Sequence, residues 1–474
     1  MNTYIKNNNQ IPGIKMKEFD REKKSKNIEK NLQKNMTKNE IISKAFEYHL
    51  KGNIYEASKY YQNFINKGFK DHRVFLNSGE ILKDLGRIEE AEIWFKRAIA
   101  LKPDYDIAYN NLGNILRAKN KFKEAESCYC KAISLNPNFA KAYYNLSTLT
   151  SSDENEIWQK QLFAKDFLGN KSKIDQFNIF FARANILHHR KNYKESAQYL
   201  NLANQLKISI YKSNSSLLIK KSKLLLIESN KISLKFKKRT GYPQSIFIVG
   251  MPRSGTTLTE SIISMNSKVL DLGEINTFER SFNEWLKNKE KVDLHELYLK
   301  KITKINSNIT TNKWLYNYQY AGIISSQIPN SKIIHCYRNP LDNILSIYRT
   351  NFAKDNEYSS SLIDSANVYL DHKRIMNQYK KRFPENIFDL DYDLLVKNPD
   401  KIIKSLIKWL GWNWKDSYLK PHLSQRSVFT ASDVQIRSKI NAKSIDGWKN
   451  YKEMLKPAIE TITQNNEYKN LLSE

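Results

Sequence analysis

The chain has 474 residues, room for about three domains of roughly 150 residues each, and its 40% hydrophobic content with 27 tyrosines excludes a wholly disordered polypeptide. Its 78 Lys and Arg against 49 Asp and Glu leave a formal charge of +29, which suits an anionic ligand or surface. No zinc-ligand spacing and no single basic helix accompanies that charge, so nucleic acid is not an expected partner, and much of the excess reads as solvated lysine spread along the chain.

Residues 1–35 are rich in Lys, Asn and Gln, lack periodicity and read as a disordered basic arm. Across residues 36–207 an internal repeat of period 34 takes over. On that period Phe75 coincides with Tyr109, Gly79 with Gly113, Leu82 with Leu116, Ala91 with Ala125, Phe95 with Tyr129, Ala98 with Ala132 and Pro103 with Pro137. Small residues let two helices of a hairpin approach, aromatics fill the space between hairpins, and proline ends the second helix. An earlier copy has Ala45, Tyr48, Ala57 and Tyr61 in register, a fourth begins with Tyr143 and Leu146, and a further hairpin fits residues 177–207. This is the tetratricopeptide pattern, an α-solenoid that serves either as a structural platform or as a concave surface for a peptide or protein. Cys128 and Cys130 face different ways on one expected helix, and with Cys336 they form an odd, sparse set that argues for a reducing compartment rather than a disulfide framework. Residues 208–243 are lysine-rich and read as a connecting helix with an apolar core at Leu217, Leu218, Leu224, Leu225 and Leu226, broken by Thr-Gly-Tyr-Pro at 240–243.

A second domain, residues 244–474, opens with Ile246-Phe247-Ile248-Val249-Gly250, a short buried strand running into a turn. Met-Pro-Arg253-Ser254-Gly255-Thr256-Thr257 follows, and then an apolar-periodic helix through Leu258, Ile262 and Ile263. Strand, glycine-bounded loop and helix N-terminus make an anion site, because main-chain N–H groups point inward and the helix dipole favours negative charge. The spacing is that of a phosphate loop, but Thr256 stands where a nucleotide triphosphatase carries lysine. The cation has moved into the loop as Arg253, whose planar guanidinium suits phosphate or sulfate. Further on, Ser331–Arg338 reads as another strand with an arginine at its end, followed by Asn339-Pro340 and a helix expected over residues 343–352. Ligands of open α/β sheets bind off the carboxyl ends of strands, so Arg338 is well placed. His335 lies inside the strand and reads as structural.

These residues resemble sulfotransferases that use 3′-phosphoadenosine 5′-phosphosulfate (PAPS), in particular the tyrosylprotein-sulfotransferase-like branch and its bacterial members with tetratricopeptide repeats ahead of the catalytic domain. The likeness covers residues 36–460, with its strongest motifs between 244 and 451. It implies an α-solenoid followed by a phosphate-loop-like α/β domain with a parallel sheet core. It implies that Arg253, Ser254, Gly255, Thr256 and Thr257 hold the 5′-phosphosulfate, and that Arg338 and Ser346 hold the 3′-phosphate. In Leu-Asp-Leu-Gly-Glu274 the glutamate becomes the candidate base, since an attacking hydroxyl must lose its proton. In Asn-Lys313-Trp-Leu-Tyr-Asn317 the lysine faces the charge that develops on transfer, although Leu315 replaces a family proline. Asn339 replaces a common acidic residue. Tyr392 in Asp-Tyr-Asp-Leu-Leu would flank the adenine, Ser432 would contact the bridging or sulfonate region, and Arg437 and Lys449 are looser cofactor contacts.

The expectation is therefore a PAPS-dependent sulfotransferase acting on a protein tyrosine, a carbohydrate or a metabolite hydroxyl, with no metal. A nucleotide kinase or triphosphatase and an inactive repeat scaffold are the alternatives; the missing loop lysine counts against the first, and the retained Glu274, Lys313 and Arg338 against the second. No stretch approaches the ~20 apolar residues of a membrane span and residues 1–35 hold no signal-peptide core, so a cytoplasmic protein is expected.

Overall fold

The computed structural model describes residues 36–149, 157–232, 242–287, 292–302, 307–352, 356–424, 426, 428, 430 and 433–472. The expected arm at 1–35 and the expected contact at Ser432 lie outside the described residues. The chain divides into two compact units, residues 1–115 and 116–474, with the division inside the helix Asp106–Ala118.

In the first unit, Lys38–Leu50 pairs with Ile54–Asn66 and His72–Asp84 pairs with Ile88–Leu101, two helical hairpins. Thr37 and Glu40 form a capping box at the first helix, and Asp71 caps the third. The repeat signature has a direct steric cause: a Cβ on Gly79 would lie 2.6 Å from the Phe95 ring. The period is also written in the backbone. Gly52, Gly86 and Asn120, each 34 apart, have φ of 72°, 75° and 64° at the turn between paired helices.

In the second unit, helices Phe122–Leu135, Ala140–Ser147 and Ile157–Phe163 lead to a long hairpin, Lys173–His189 with Tyr193–Ile210. That hairpin covers the repeat expected over 177–207. The helix Ser215–Lys231 follows and packs on Leu362–Arg382. Of the leucines expected to form its core, Leu225 is buried and Leu218 and Leu226 pack against the cores, whereas Leu217 and Leu224 are exposed and Ser222 and Ser229 share the buried stripe. Small hydroxyl residues allow the close approach: a Cβ on Gly322 would meet the Ser229 Oγ at 2.2 Å. Arg382 then closes the helix end by donating to the Ser229 and Ile232 carbonyls.

The sheet has five parallel strands, β1 (Gln244–Gly250), β2 (Val269–Asp271), β3 (Ile309–Asn312), β4 (Ser331–Tyr337) and β5 (Ile387–Asp391), in the order β2-β3-β1-β4-β5. Central β1 is buried on both sides, as its unbroken apolar run demands. Ile246 and Ile248 face a core with Ile262, Ile334 and Leu406, and Phe247 and Val249 face one with Phe278, Tyr298 and Ile324. A third core joins Phe181 and Leu200 of the long hairpin to Ile344, Tyr451 and Leu455, so that hairpin is built into the body that carries the sheet. All five strands point their carboxyl ends the same way, which gathers the loops after them at one edge.

Candidate active site

The turn after β1 is shaped by what it cannot accommodate. A Cβ on Gly250 would lie 2.3 Å from the Cys336 carbonyl oxygen, and one on Gly255 would lie 2.4 Å from the Tyr392 ring. Gly255 has φ of 92° and Arg253, a non-glycine residue, has φ of 66°. Such a backbone costs a side-chain-bearing residue on the order of 1–3 kcal/mol and persists where function fixes it. Ser254 is buried with its Oγ donating to the Met251 carbonyl at 2.7 Å, and Asn343 donates to the Pro252 carbonyl at 2.9 Å. The loop is thus held from inside, leaving the helix Thr256–Ile263 to begin directly behind Gly255.

Two arginines meet beside this loop. Arg253 donates from Nε to the Ser346 Oγ at 3.0 Å and from a terminal nitrogen to Gln435 Oε1 at 3.0 Å. Burial, with Arg338 and Arg349 nearby, pushes the Arg253 guanidinium down to about 10, so it stays charged near neutrality. Arg338, at the end of β4, is buried and donates to the Ser444 carbonyl at 2.7 Å. It lies 3.6 Å from the Asp342 carboxylate, 3.9 Å from Asp393 and over the Tyr392 ring at 4.8 Å. Its Nε makes no hydrogen bond. Asn339, in place of an acid, caps the helix Pro340–Tyr348 by accepting from the Leu341 and Asp342 amides. Asparagine and aspartate serve equally well there. That helix ends at Tyr348, short of the expected residue 352.

On the other side of β1 the ends of β2 and β3 bring a lysine and carboxylates together. The Lys313 amide donates to the Gly273 carbonyl at 3.0 Å, and the Lys313 ammonium donates to Glu274 Oε1. Lys313 is 1% exposed and Glu274 43%. Burial works against the Lys313 charge, but Glu260 and Glu274 more than offset it and hold the ammonium. Glu260 has no counterpart in the sequence reading. It lies on the helix behind the loop, 0% exposed, with Oε2 3.7 Å from the Lys313 ammonium and bonded to Arg426. Its one sequence signal is a lone charge within Thr256-Thr-Leu-Thr-Glu-Ser-Ile-Ile263, an otherwise uncharged run.

The segment from Ser424 to Tyr451 ties these groups together. Arg426 reaches Glu260 and Asp271, Thr430 Oγ1 lies 3.3 Å from Thr257 Oγ1, and Gln435 holds Arg253. Ser444 accepts from Arg338, and its Oγ lies 3.0 Å from the Tyr392 hydroxyl. Asp342 accepts from the Asp446 and Trp448 amides at 2.9 Å each, which fixes the turn after Ser444. Arg437 donates to the Ser424 and Arg426 carbonyls rather than to the loop of 250–257, and Lys449 is exposed beside Asp446. Asp433 accepts two 2.7 Å bonds from Arg117, and the Val428 amide donates to the Ala118 carbonyl at 3.1 Å. His335 is structural as expected, buried with Nδ1 2.9 Å from Asp389.

Four buried or half-buried cations, Arg253, Arg338, Lys313 and Arg426, the glycine-bounded loop and the partly exposed Glu274 therefore share the edge formed by the strand ends. Among the described residues no group of three or more His, Cys, Asp or Glu is placed to hold a metal ion, and no helix is long and apolar enough to cross a membrane.

Parts of the chain match known protein families. Residues 243–416 match the model of the sulfotransferase family, and residues 79–116 and 107–139 match tetratricopeptide repeat models. An uncharacterized protein of Aquifex aeolicus (strain VF5) is 30% identical over 60% of this chain and 41% of its own length, so this chain spans less than half of that relative. The sulfotransferase domain of the Synechococcus PCC 7002 olefin synthase aligns with a TM-score of 0.36 and 17% identity, covering 49% of this chain and 99% of that one. Mouse sulfotransferase SULT7A1 complexed with PAP aligns with a TM-score of 0.33 and 18% identity, covering 52% of this chain and 92% of that one. Behind the residues matched by the tetratricopeptide repeat models, the parallel sheet lies within the part of the chain that matches the sulfotransferase family model.

Proposed function

We propose that the protein transfers a sulfuryl group from PAPS to an acceptor oxygen. The observation that carries this is the convergence of Arg253, Lys313, Arg338 and Glu274 from the ends of different parallel strands onto one edge. The residues fit the group. The loop between Gly250 and Gly255 is a cradle in which added side chains would collide, and the buried Arg338 Nε makes no hydrogen bond, with Asp393 3.9 Å away. In this reading the amides of Gly255–Thr257, the Ser254 segment of the loop and the Arg253 guanidinium surround the 5′-phosphosulfate, and Arg338 with Ser346 binds the 3′-phosphate. Tyr392 flanks the adenine side, with Ser432 as a further contact, whereas the Arg437 guanidinium is taken up by the Ser424 and Arg426 carbonyls. When bound, PAPS supplies an activated sulfuryl group whose leaving oxygen is a phosphate.

Glu274 accepts the proton of the attacking hydroxyl, and its partial exposure leaves it open to an acceptor. Lys313 and Arg253 stabilise the charge that develops on the sulfuryl and phosphate oxygens in a largely water-excluded place. The acceptor is a protein tyrosine, a glycan or a metabolite hydroxyl, and the repeats present a macromolecular one. A cytosolic setting suits the three free cysteines. Calorimetry with 3′-phosphoadenosine 5′-phosphate, 5′-AMP and Mg-ATP tests the reading. Tight binding of the first alone is expected; a preference for Mg-ATP would replace it with a kinase or triphosphatase.

A further inference from the structure

We propose that Glu260 is a positioning residue that gives Lys313 a second seat, so that Glu274 is released to act as the base. The inference rests on the sulfuryl-transfer reading. In this structure the Lys313 ammonium is bonded to Glu274, and a carboxylate in that state is a poor proton acceptor because an arriving proton meets a positive charge. Glu274 must therefore let go of Lys313 before it takes a proton. An ammonium as buried as this one is costly to leave without a partner.

The alternative partner is already built. Glu260 Oε2 stands 3.7 Å from the ammonium, and Glu260 Oε1 is buried and accepts no hydrogen bond from a basic or amide donor, with the Asp271 carboxyl beside Glu260. The helix behind the phosphate-binding loop fixes its backbone, with the Ser264 amide donating to the Glu260 carbonyl at 2.9 Å. Arg426 fixes Oε2 from the closing segment. The exchange moves one N–H···O bond from Glu274 to Glu260 Oε1. Lys313 keeps its proton, the acceptor hydroxyl gives its own to Glu274, and Glu260 neither gains nor loses one.

The charged groups that face Glu260 are Lys313 from the end of β3, Arg426 from the closing segment and Asp271 from the end of β2, with Glu274 behind Lys313. Burial pushes Glu260 up to about 7 while Lys313 and Arg426 pull the other way. Protonation of Glu260 removes the second seat, so turnover should fall as pH drops through that region.

The test is the rate of PAPS conversion to 3′-phosphoadenosine 5′-phosphate by the full-length protein between pH 5.5 and 8.5, with 4-methylphenol as acceptor, a tyrosine-like phenol of pKa about 10 whose hydroxyl stays protonated across that range. The wild type should show a break near neutrality. Glu260→Gln should turn over at least about 10-fold more slowly at pH 8, the loss expected for one charge-assisted hydrogen bond. It should also lack the break, with affinity for 3′-phosphoadenosine 5′-phosphate unchanged. Glu260→Asp should recover part of the rate. Arg426→Gln removes a cation that favours the charged carboxylate, so its break should move to higher pH. A wild-type profile without a break, a break retained in Glu260→Gln, or one unmoved in Arg426→Gln would each overturn the proposal. Should Glu260→Gln fail to fold, the wild-type and Arg426→Gln profiles decide. A wild type that binds no 3′-phosphoadenosine 5′-phosphate and turns over no PAPS would instead bring down the sulfuryl-transfer reading, and this inference with it.

Discussion

Replacing Arg338 by methionine keeps most of the side-chain volume and removes the guanidinium. In the folded chain that group is buried between the Ser444 carbonyl and the Asp342 and Asp393 carboxylates, and it has one N–H unused. A 3′-phosphate that takes such donors gains one or two charge-assisted hydrogen bonds of about 1.5–3 kcal/mol each. Loss of one corresponds to roughly 10- to 150-fold in Kd. Titration calorimetry should therefore show Arg338→Met binding 3′-phosphoadenosine 5′-phosphate at least about 10-fold more weakly than wild type. Its affinity for 5′-AMP, which lacks the 3′-phosphate, should change little, so the selectivity collapses. The variant also leaves Asp342 and Asp393, both already pushed up by burial, without their arginine. A thermal melt must accompany the titration to separate weakened binding from loss of fold. A folded variant that loses affinity for both nucleotides equally would refute a dedicated 3′-phosphate role for Arg338.

Glu274→Gln should bind 3′-phosphoadenosine 5′-phosphate normally and lose turnover by roughly 10²–10⁴, read as kcat on an active acceptor. Full activity would move the base elsewhere. Gly255→Ala adds a methyl 2.4 Å from the Tyr392 ring at a φ of 92°; calorimetry should show cofactor binding lost or much weakened, with the destabilisation visible in urea unfolding. Asp389 is pushed up by burial, but His335 and Lys380 overcome this and hold it at about 2, below its ordinary 3.8. A carboxyl depressed on folding stabilises above its unfolded value and loses that contribution as pH falls toward the folded one. Asp389→Asn should then be less stable than wild type by roughly 2 kcal/mol at pH 7, with the gap narrowing between about pH 4 and pH 2.

The parts legible in the sequence are those with a local cause. The strand–loop–helix at 246–257 announces itself because one strand buried on both faces must be continuously apolar and the turn after it excludes Cβ atoms. The 34-residue period is legible because each copy repeats the same small-against-large contact, as between Gly79 and Phe95. What escapes is long-range pairing. Glu260 reads as an ordinary helix-surface acid until Lys313 and Arg426 arrive from other elements. Ser346, expected beside Arg338, hydrogen-bonds Arg253, a choice set by how the helix Pro340–Tyr348 docks on the loop. Leu217 and Leu224 of the expected leucine core are exposed, and the close approach of Gly322 requires the small Ser229 at the buried stripe.

The bond between Arg117 and Asp433 spans 316 residues of sequence. At a synthesis rate of about 5–20 residues per second, Arg117 is made roughly 16–60 s before its partner exists. Throughout that time a largely buried cation has Thr148 but no carboxylate from this segment. The Arg117 guanidinium thus gains this partner only once the carboxyl-terminal strap has been made, and a ribosome stalled before residue 433 would present the repeats without it. A chaperone that engages the nascent chain has its natural opening in that interval.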